Sequence, residues 1–413
     1  MGALYNSGAA YDTNDQKSII ATADVDLEYR TALDRSKFTA ASPGRLVPTV
    51  EDAWAFVPDA LPPALLVADW ETASKASEAE NALGRLEGVA RDLPNPYLLI
   101  GPLQKREAIV SSRIEGTFTT ARQLVLYEAG ELATAASSDT REVHNYIRAL
   151  QHGLRRLPKL PVSLRLIREM HRILLEGVRG HDNRPGNFRD QQNAIGHEGQ
   201  KIGEARFVPP PPGRELDDAL DAFEKFIHAE DALPLLVRMA MIHYQFEAIH
   251  PFFDGNGRVG RILNSLLLCS NGRLSQPLLY LSSYFEHHRD AYVDHMLAVS
   301  QRGEWIPWIR FFLQGVIDQC EDALGRAKRI LALRDKYKKK MEHATGRVHK
   351  LIDELCASPA TTIQRVAEVL GITFRAASQI VEKLVTAQIL VEITGRPRDR
   401  VFLAKEIVAV IER

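Results

Sequence analysis

At 413 residues, with 45% hydrophobic and 25% charged side chains, the chain has an ordinary globular composition and room for two or three domains. A formal net charge of −1 and a pI near 6.9 exclude a global pull toward nucleic acid or anionic membrane. Cys269, Cys320 and Cys356 are far apart without metal-ligand spacing, and neither a signal-peptide pattern nor a bilayer-long apolar run is seen, so a reducing cytoplasm is expected.

Small and polar residues dominate up to about Thr39, and residues 1–45 are expected to form a mobile tail. Residues 46–63 carry prolines and read as extended. A helix is expected over 65–93, with Leu83, Leu86 and Val89 on one apolar stripe. Asn95-Pro96 suits the start of a second helix, which ends near Glu115. Further helices are expected over 120–132, 140–154 and 164–175. Pro185-Gly186-Asn187-Phe188-Arg189 leads into polar, glycine-bearing residues and then Pro209-Pro210-Pro211-Pro212. That pattern suggests a short β-hairpin closed by an extended segment. Helices over 217–228 and 234–249 lead into His250, and 305–333 reads as mostly helical. The core is therefore expected to be mainly α.

The densest chemistry lies in His250-Pro251-Phe252-Phe253-Asp254-Gly255-Asn256-Gly257-Arg258-Val259-Gly260-Arg261, just ahead of a helical run at 262–268. Gly255 and Gly257 permit close approach of backbone to a ligand. N–H groups at a helix start favour anions. Asp254 suits Mg²⁺, which takes one or two carboxylates together with water and phosphate oxygens. Asn256 offers an amide to a phosphate oxygen. Arg258 and Arg261, three apart, project from one helix face with donors shaped for phosphate. His250 is placed to take a proton from an attacking hydroxyl.

This segment resembles the Fic family signature, His-x-Phe-x-(Asp/Glu)-Gly-Asn-Gly-Arg-x-x-Arg, at every defined position. The resemblance implies a Fic-type helical bundle with a small β-hairpin flap, and transfer of AMP from ATP to a Tyr, Thr or Ser hydroxyl of a protein. It implies that His250 is the base, Asp254 the Mg²⁺ ligand, and Gly255 to Arg261, with Val259 and Gly260 among them, the nucleotide site. Doc toxins, which resemble kinases, carry Lys where this chain has Gly257, and that difference favours nucleotidyl transfer. Ser111-Ser112-Arg113-Ile114-Glu115-Gly116 resembles the family's inhibitory pattern (Ser/Thr)-x-x-x-Glu-(Gly/Asn). By that resemblance Ser111, Glu115 and Gly116 are regulatory, with Glu115 pairing Arg261 and excluding the γ-phosphate. Asn193, Ala194 and Ile195 are the candidate flap edge that docks the target as an added strand. Relatives often have Asn near His287-His288, so a UMP or phosphocholine donor stays open. Relatives also dimerise, and self-modification is an expected outcome.

The tail differs in kind. Residues 361–370, a turn at Gly371 and residues 373–387 read as helix-turn-helix, followed by strands at 390–393 and 401–403 around a turn, as in a winged helix. Arg375, Lys383, Arg396, Arg398 and Arg400 are placed for phosphate contacts, with Ser378 and Gln379 on the second helix. The expected order is tail 1–45, inhibitory region 46–135, catalytic core 136–335, linker 336–350 and winged helix 351–413. Two functional classes follow: a protein adenylyltransferase, and a DNA-binding regulator whose core senses nucleotide.

Overall fold

The computed structural model describes residues 33–64, 66–92, 95–130, 137–178, 184–196, 201–230, 232–396 and 398–412. Of the mobile tail expected over residues 1–45, residues 1–32 lie outside that set. In chain order, β1 (Gly44–Pro48) and β2 (Trp54–Pro58) precede α1 (Trp70–Asp92), α2 (Tyr97–Ile114), α3 (Ala121–Glu128), α4 (Ser138–Arg156) and α5 (Leu164–Leu174). Then come α6 (Arg214–His228), α7 (Leu235–Ile249), α8 (Asn256–Ser270), α9 (Ser282–His287), α10 (Arg289–Arg302) and α11 (Trp305–Lys340). The tail holds α12 (Gly346–Ala357), β3 (Ala360–Thr362), α13 (Ile363–Leu370), α14 (Phe374–Thr386), β4 (Val391–Glu392), β5 (Val401–Leu403) and α15 (Lys405–Glu412). The fold is mainly helical, with one small antiparallel hairpin and a three-stranded antiparallel tail sheet in the order β3-β5-β4.

Local chemistry sets many of these boundaries. Thr120 and Gln123 form a reciprocal capping box at the start of α3. Ser137, Ser163, Thr362 and Thr373 cap α4, α5, α13 and α14 with side-chain oxygens. Gly371, left-handed at φ 62°, ends α13 and turns the chain into α14. α7 is buried on nearly every face and is the central helix, packed by α6, α8, α10 and α11. α4 and α5 cover the other side of α8, and α1 lies along α11. On α1 the buried stripe is Ala79, Ala82, Leu83, Leu86 and Ala90, with Val89 at its edge.

α2 touches α4, α8 and α9 on one side and the tail helices α12 and α15 on the other. Gly101 makes that second contact possible, since a Cβ there would collide with the Ala357 carbonyl. Buried apolar side chains run without a break from Phe246 in α7, through Leu103 in α2, to Ile352 and Ile407 in the tail.

Three expectations need correction. Residues 44–58 are neither tail nor plain extended chain but a hairpin, because Glu51 and Asp52 turn it at φ 56° and 55°. The expected flap hairpin over 185–212 is a single antiparallel bridge, Ile195 to Phe207, among the described residues. The hydrogen bonding found there passes to β2, whose Phe56 N–H donates to the Val208 carbonyl at 2.8 Å. The linker, too, starts later than expected. α11 continues to Lys340, and Lys336 and Lys338 reach the tail carboxylates Glu406 and Asp353 at 2.6 and 2.8 Å.

Candidate active site

Three segments meet at the start of α8: the loop from His250 to Gly255, the end of α2, and residues 184–196. α7 stops at His250, which adopts the left-handed region (φ 48°, ψ 62°). Such backbone in a non-glycine residue costs on the order of 1 kcal/mol and needs outside support. Arg189, 3% exposed, supplies it: its Nε donates to the His250 carbonyl and its N–H to the Pro251 carbonyl, both at 2.9 Å. Burial, with Arg189's charge second, brings the His250 imidazole down to a pKa of about 4. It is therefore neutral near pH 7, the form that accepts a proton. Its Nδ1 is buried without a hydrogen-bond partner.

Asn256 closes the loop on itself. Its Oδ1 accepts the Phe252 N–H at 2.9 Å and its Nδ2 donates to the Phe252 carbonyl at 2.8 Å. The amide that the sequence reading offered to a phosphate is thus engaged inside the loop. Gly255, at φ 79°, caps α8 without a side chain, so the helix begins at Asn256 rather than near 262. The first intrahelical bond runs from Val259 N–H to the Gly255 carbonyl at 3.0 Å, which places the N–H groups of residues 256–258 ahead of it. Val259 is fully buried in the core, and Gly260 backs onto α7, where a Cβ would lie 2.5 Å from Glu247 Oε1. These two positions pack the helix and do not line a cradle. Glu247 is pushed up to about 7 by burial.

The charged groups are held by one another. Arg258, 2% exposed, donates from Nη1 to Glu142 Oε2 and from Nη2 to Asp254 Oδ1, each at 3.1 Å. Thr117 Oγ1 donates to the same Glu142 oxygen at 2.8 Å, tying the chain after α2 to this pair. Arg261 donates from Nε to Ser111 Oγ at 2.7 Å, and from Nη2 to the Ser111 carbonyl at 2.9 Å and Glu115 Oε1 at 2.6 Å. Desolvation at the site would by itself raise the Glu115 carboxyl, although its side chain stays 35% exposed; the Arg261 guanidinium outweighs it and holds the group below its ordinary value. A Cβ on Gly257 would overlap Glu115 Oε1 and lie 2.8 Å from Arg261 Nη1. An anionic group thus already rests beside the first turn of α8, where the helix dipole favours negative charge. Gly116, at φ 79°, ends α2 just beyond it.

The flap candidates divide. Asn193 Nδ2 donates to the Phe252 carbonyl at 3.0 Å and fastens its segment to the motif loop. Ala194 packs in a small apolar cluster with Ala55, Ala205 and Val208. Ile195 is 37% exposed and makes the single bridge. The sequence reading missed Glu142, Arg189 and His171. Arg189 stood in the noted Pro-Gly-Asn-Phe-Arg run, but a lone arginine carries no sign of burial. Glu142 and His171 sit on amphipathic helices with no local signal at all.

Residues 73–155 match the Fic/DOC family N-terminal model, and residues 161–268 match the Fic/DOC family model. The chain is 33% identical over 152 residues to a protein adenylyltransferase Fic from Aedes aegypti, covering 36% of this chain and 27% of that protein. It is 29% identical over 206 residues to one from Drosophila yakuba, covering 48% and 37% respectively. The match thus spans about a quarter to two fifths of these relatives. A crystal structure of a Fic family protein from Desulfovibrio desulfuricans G20 superposes with a TM-score of 0.54 at 17% identity, covering 82% of this chain and 97% of that one, which shows a shared fold. Residues 73–155 and 161–268 thus carry a Fic/DOC N-terminal region followed by a Fic domain, and the chain is distantly similar to protein adenylyltransferases.

Proposed function

We propose that this chain transfers AMP from ATP to a hydroxyl side chain of a protein and holds itself inactive through Glu115. The observation that carries the reading is the Arg261 guanidinium beside the first turn of α8, occupied by Ser111 and Glu115. Once Glu115 withdraws, the same donors and the free N–H groups of the helix start suit the outer phosphates. His250 takes the proton of the attacking hydroxyl as its oxygen bonds to the α-phosphorus. The bond to the β-phosphate oxygen breaks, and pyrophosphate leaves with that electron pair.

Asp254 fits a divalent cation. Its side chain is 37% exposed, and the hydrogen bonds it accepts from Gly255 N–H and Arg258 both fall on Oδ1, which leaves Oδ2. A Mg²⁺ ion held by this one carboxylate would take its other ligands from water and phosphate oxygens. Bound there, Mg²⁺ would neutralise phosphate charge.

The test is incorporation of label from α-³²P-ATP into protein. Glu115→Gly should raise self-modification by about 5- to 150-fold, the range of a 1–3 kcal/mol coupling. His250→Ala in that background should lower it by about 10²- to 10⁴-fold. Mass spectrometry of the modified protein names the donor, since UMP or phosphocholine adds a different mass. No added mass from any of these donors with the Glu115→Gly protein would end the reading.

The tail arrangement of α13, Gly371, α14 and the β4–β5 turn supports a second role as a winged helix. Arg375, Gln379 and Lys383 are exposed on α14, and Arg398 on the turn. An electrophoretic shift on DNA fragments at stated salt tests it, with Arg375→Ala as the control.

A further inference from the structure

His171 belongs to α5, outside both motifs, and is fully buried. Its two ring nitrogens meet two different segments of the site. The Gly186 N–H donates to Nδ1 at 2.8 Å, and Nε2 lies 2.9 Å from the Asp254 carbonyl oxygen. An amide N–H only donates and a carbonyl only accepts, so the ring is the neutral tautomer with its proton on Nε2. The ring also stacks on Phe252, with centroids 3.7 Å apart and planes at 7°. Gly255 lies against the same helix: a Cβ there would come within 3.2 Å of Leu174 and 3.5 Å of His171. The loop that carries Asp254 therefore rests on α5 through this one imidazole and its neighbour. The turn that begins the 184–196 segment hangs from the opposite side of the ring.

We propose that His171 is a positioning residue that fixes the Asp254 loop and the Gly186 turn at a set offset, so that cation-binding carboxylate and target-aligning segment move as one. The proposal rests on the AMP-transfer reading for its purpose, but its geometry is testable without turnover. Two substitutions separate the two bonds. In His171→Gln the side-chain amide nitrogen takes the place of Nε2 and restores donation to the Asp254 carbonyl, with nothing to accept the Gly186 N–H. In His171→Asn the amide oxygen takes the place of Nδ1 and restores the Gly186 bond, leaving the Asp254 carbonyl unserved. Both lose the stack on Phe252 equally, so the stack cancels in the comparison.

The measurements use the full-length Glu115→Gly protein. Calorimetry gives the Mg²⁺ concentration that half-saturates ATP binding, and mass-resolved hydrogen exchange reports on residues 184–189. His171→Asn should raise the half-saturating Mg²⁺ about 10-fold, the worth of one hydrogen bond near 1.4 kcal/mol, with exchange at 184–189 unchanged. His171→Gln should do the reverse, speeding exchange about 10-fold with Mg²⁺ dependence within about 2-fold of the parent. Equal effects of both variants on both readouts would reduce His171 to a packing residue and overturn the proposal. ATP binding with the expected split but no label transfer would uphold it while removing the transferase reading.

Discussion

The start of α8 and the tail beyond residue 345 handle charge in opposite ways. Around α8, Arg258, Arg261 and Glu142 are each no more than 4% exposed, and every one has a partner at 3.1 Å or less. On α14, Arg375, Gln379 and Lys383 face solvent, while Ala377, Val381 and Leu384 alone are buried. Buried charge must be paired or it becomes costly, so the residues near α8 constrain one another and few sequences satisfy them together. Solvated charge constrains nothing nearby. The first region therefore declares a chemistry, whereas the second declares only a shape.

Substitutions should split along that line. Glu142→Gln leaves Arg258 short of a buried counter-charge and should cost about 3–5 kcal/mol in urea unfolding. A loss below about 1 kcal/mol would mean that the pair behaves as a surface bridge, and the contrast would fail. Acid should come next. Burial holds His171 and His250 near 4 and His243 near 3, below the free imidazole value. A folded-state pKa that is depressed gives stability that is complete above about 6.5 and is lost as pH falls toward 4. Each imidazole accounts for on the order of 3 kcal/mol across that window, and Glu247, raised to about 7, opposes them with a similar amount. Net stability should decline between pH 6.5 and 4; a flat profile from pH 7.5 to 5 would contradict the burial argument. Smallest of all, Arg375→Ala should change stability by less than about 0.5 kcal/mol, whatever it does to a partner.

Much of this was legible in the residue order, for physical reasons. The end of α2 at Ile114, next to Glu115, followed from Asn95-Pro96 and Gly116, which punctuate a helix on any background. The meeting of Glu115 with Arg261 was read from resemblance, and the geometry places them together. Other features depend on contacts that no local pattern announces. Asn256 turns inward because the Phe252 backbone is within reach. α8 begins early because Gly255 adopts a left-handed cap. Residues 44–58 form a hairpin although Pro48 and Pro58 end its two strands, and Phe56 in β2 also donates to Val208, far along the chain. Arg189 is a buried clamp only because Ile249, His250 and Pro210 turn their carbonyls toward it.

Gly101 against Ala357 gives α2 two neighbours that otherwise share little. Backbone meets backbone there, with no side chain between them to absorb a shift. Ten to fourteen residues further along, at the end of the same helix, Ser111 and Glu115 hold Arg261. One helix therefore carries both the seat of the tail and the groups that hold Arg261, so neither contact surface of α2 can be altered without regard to the other.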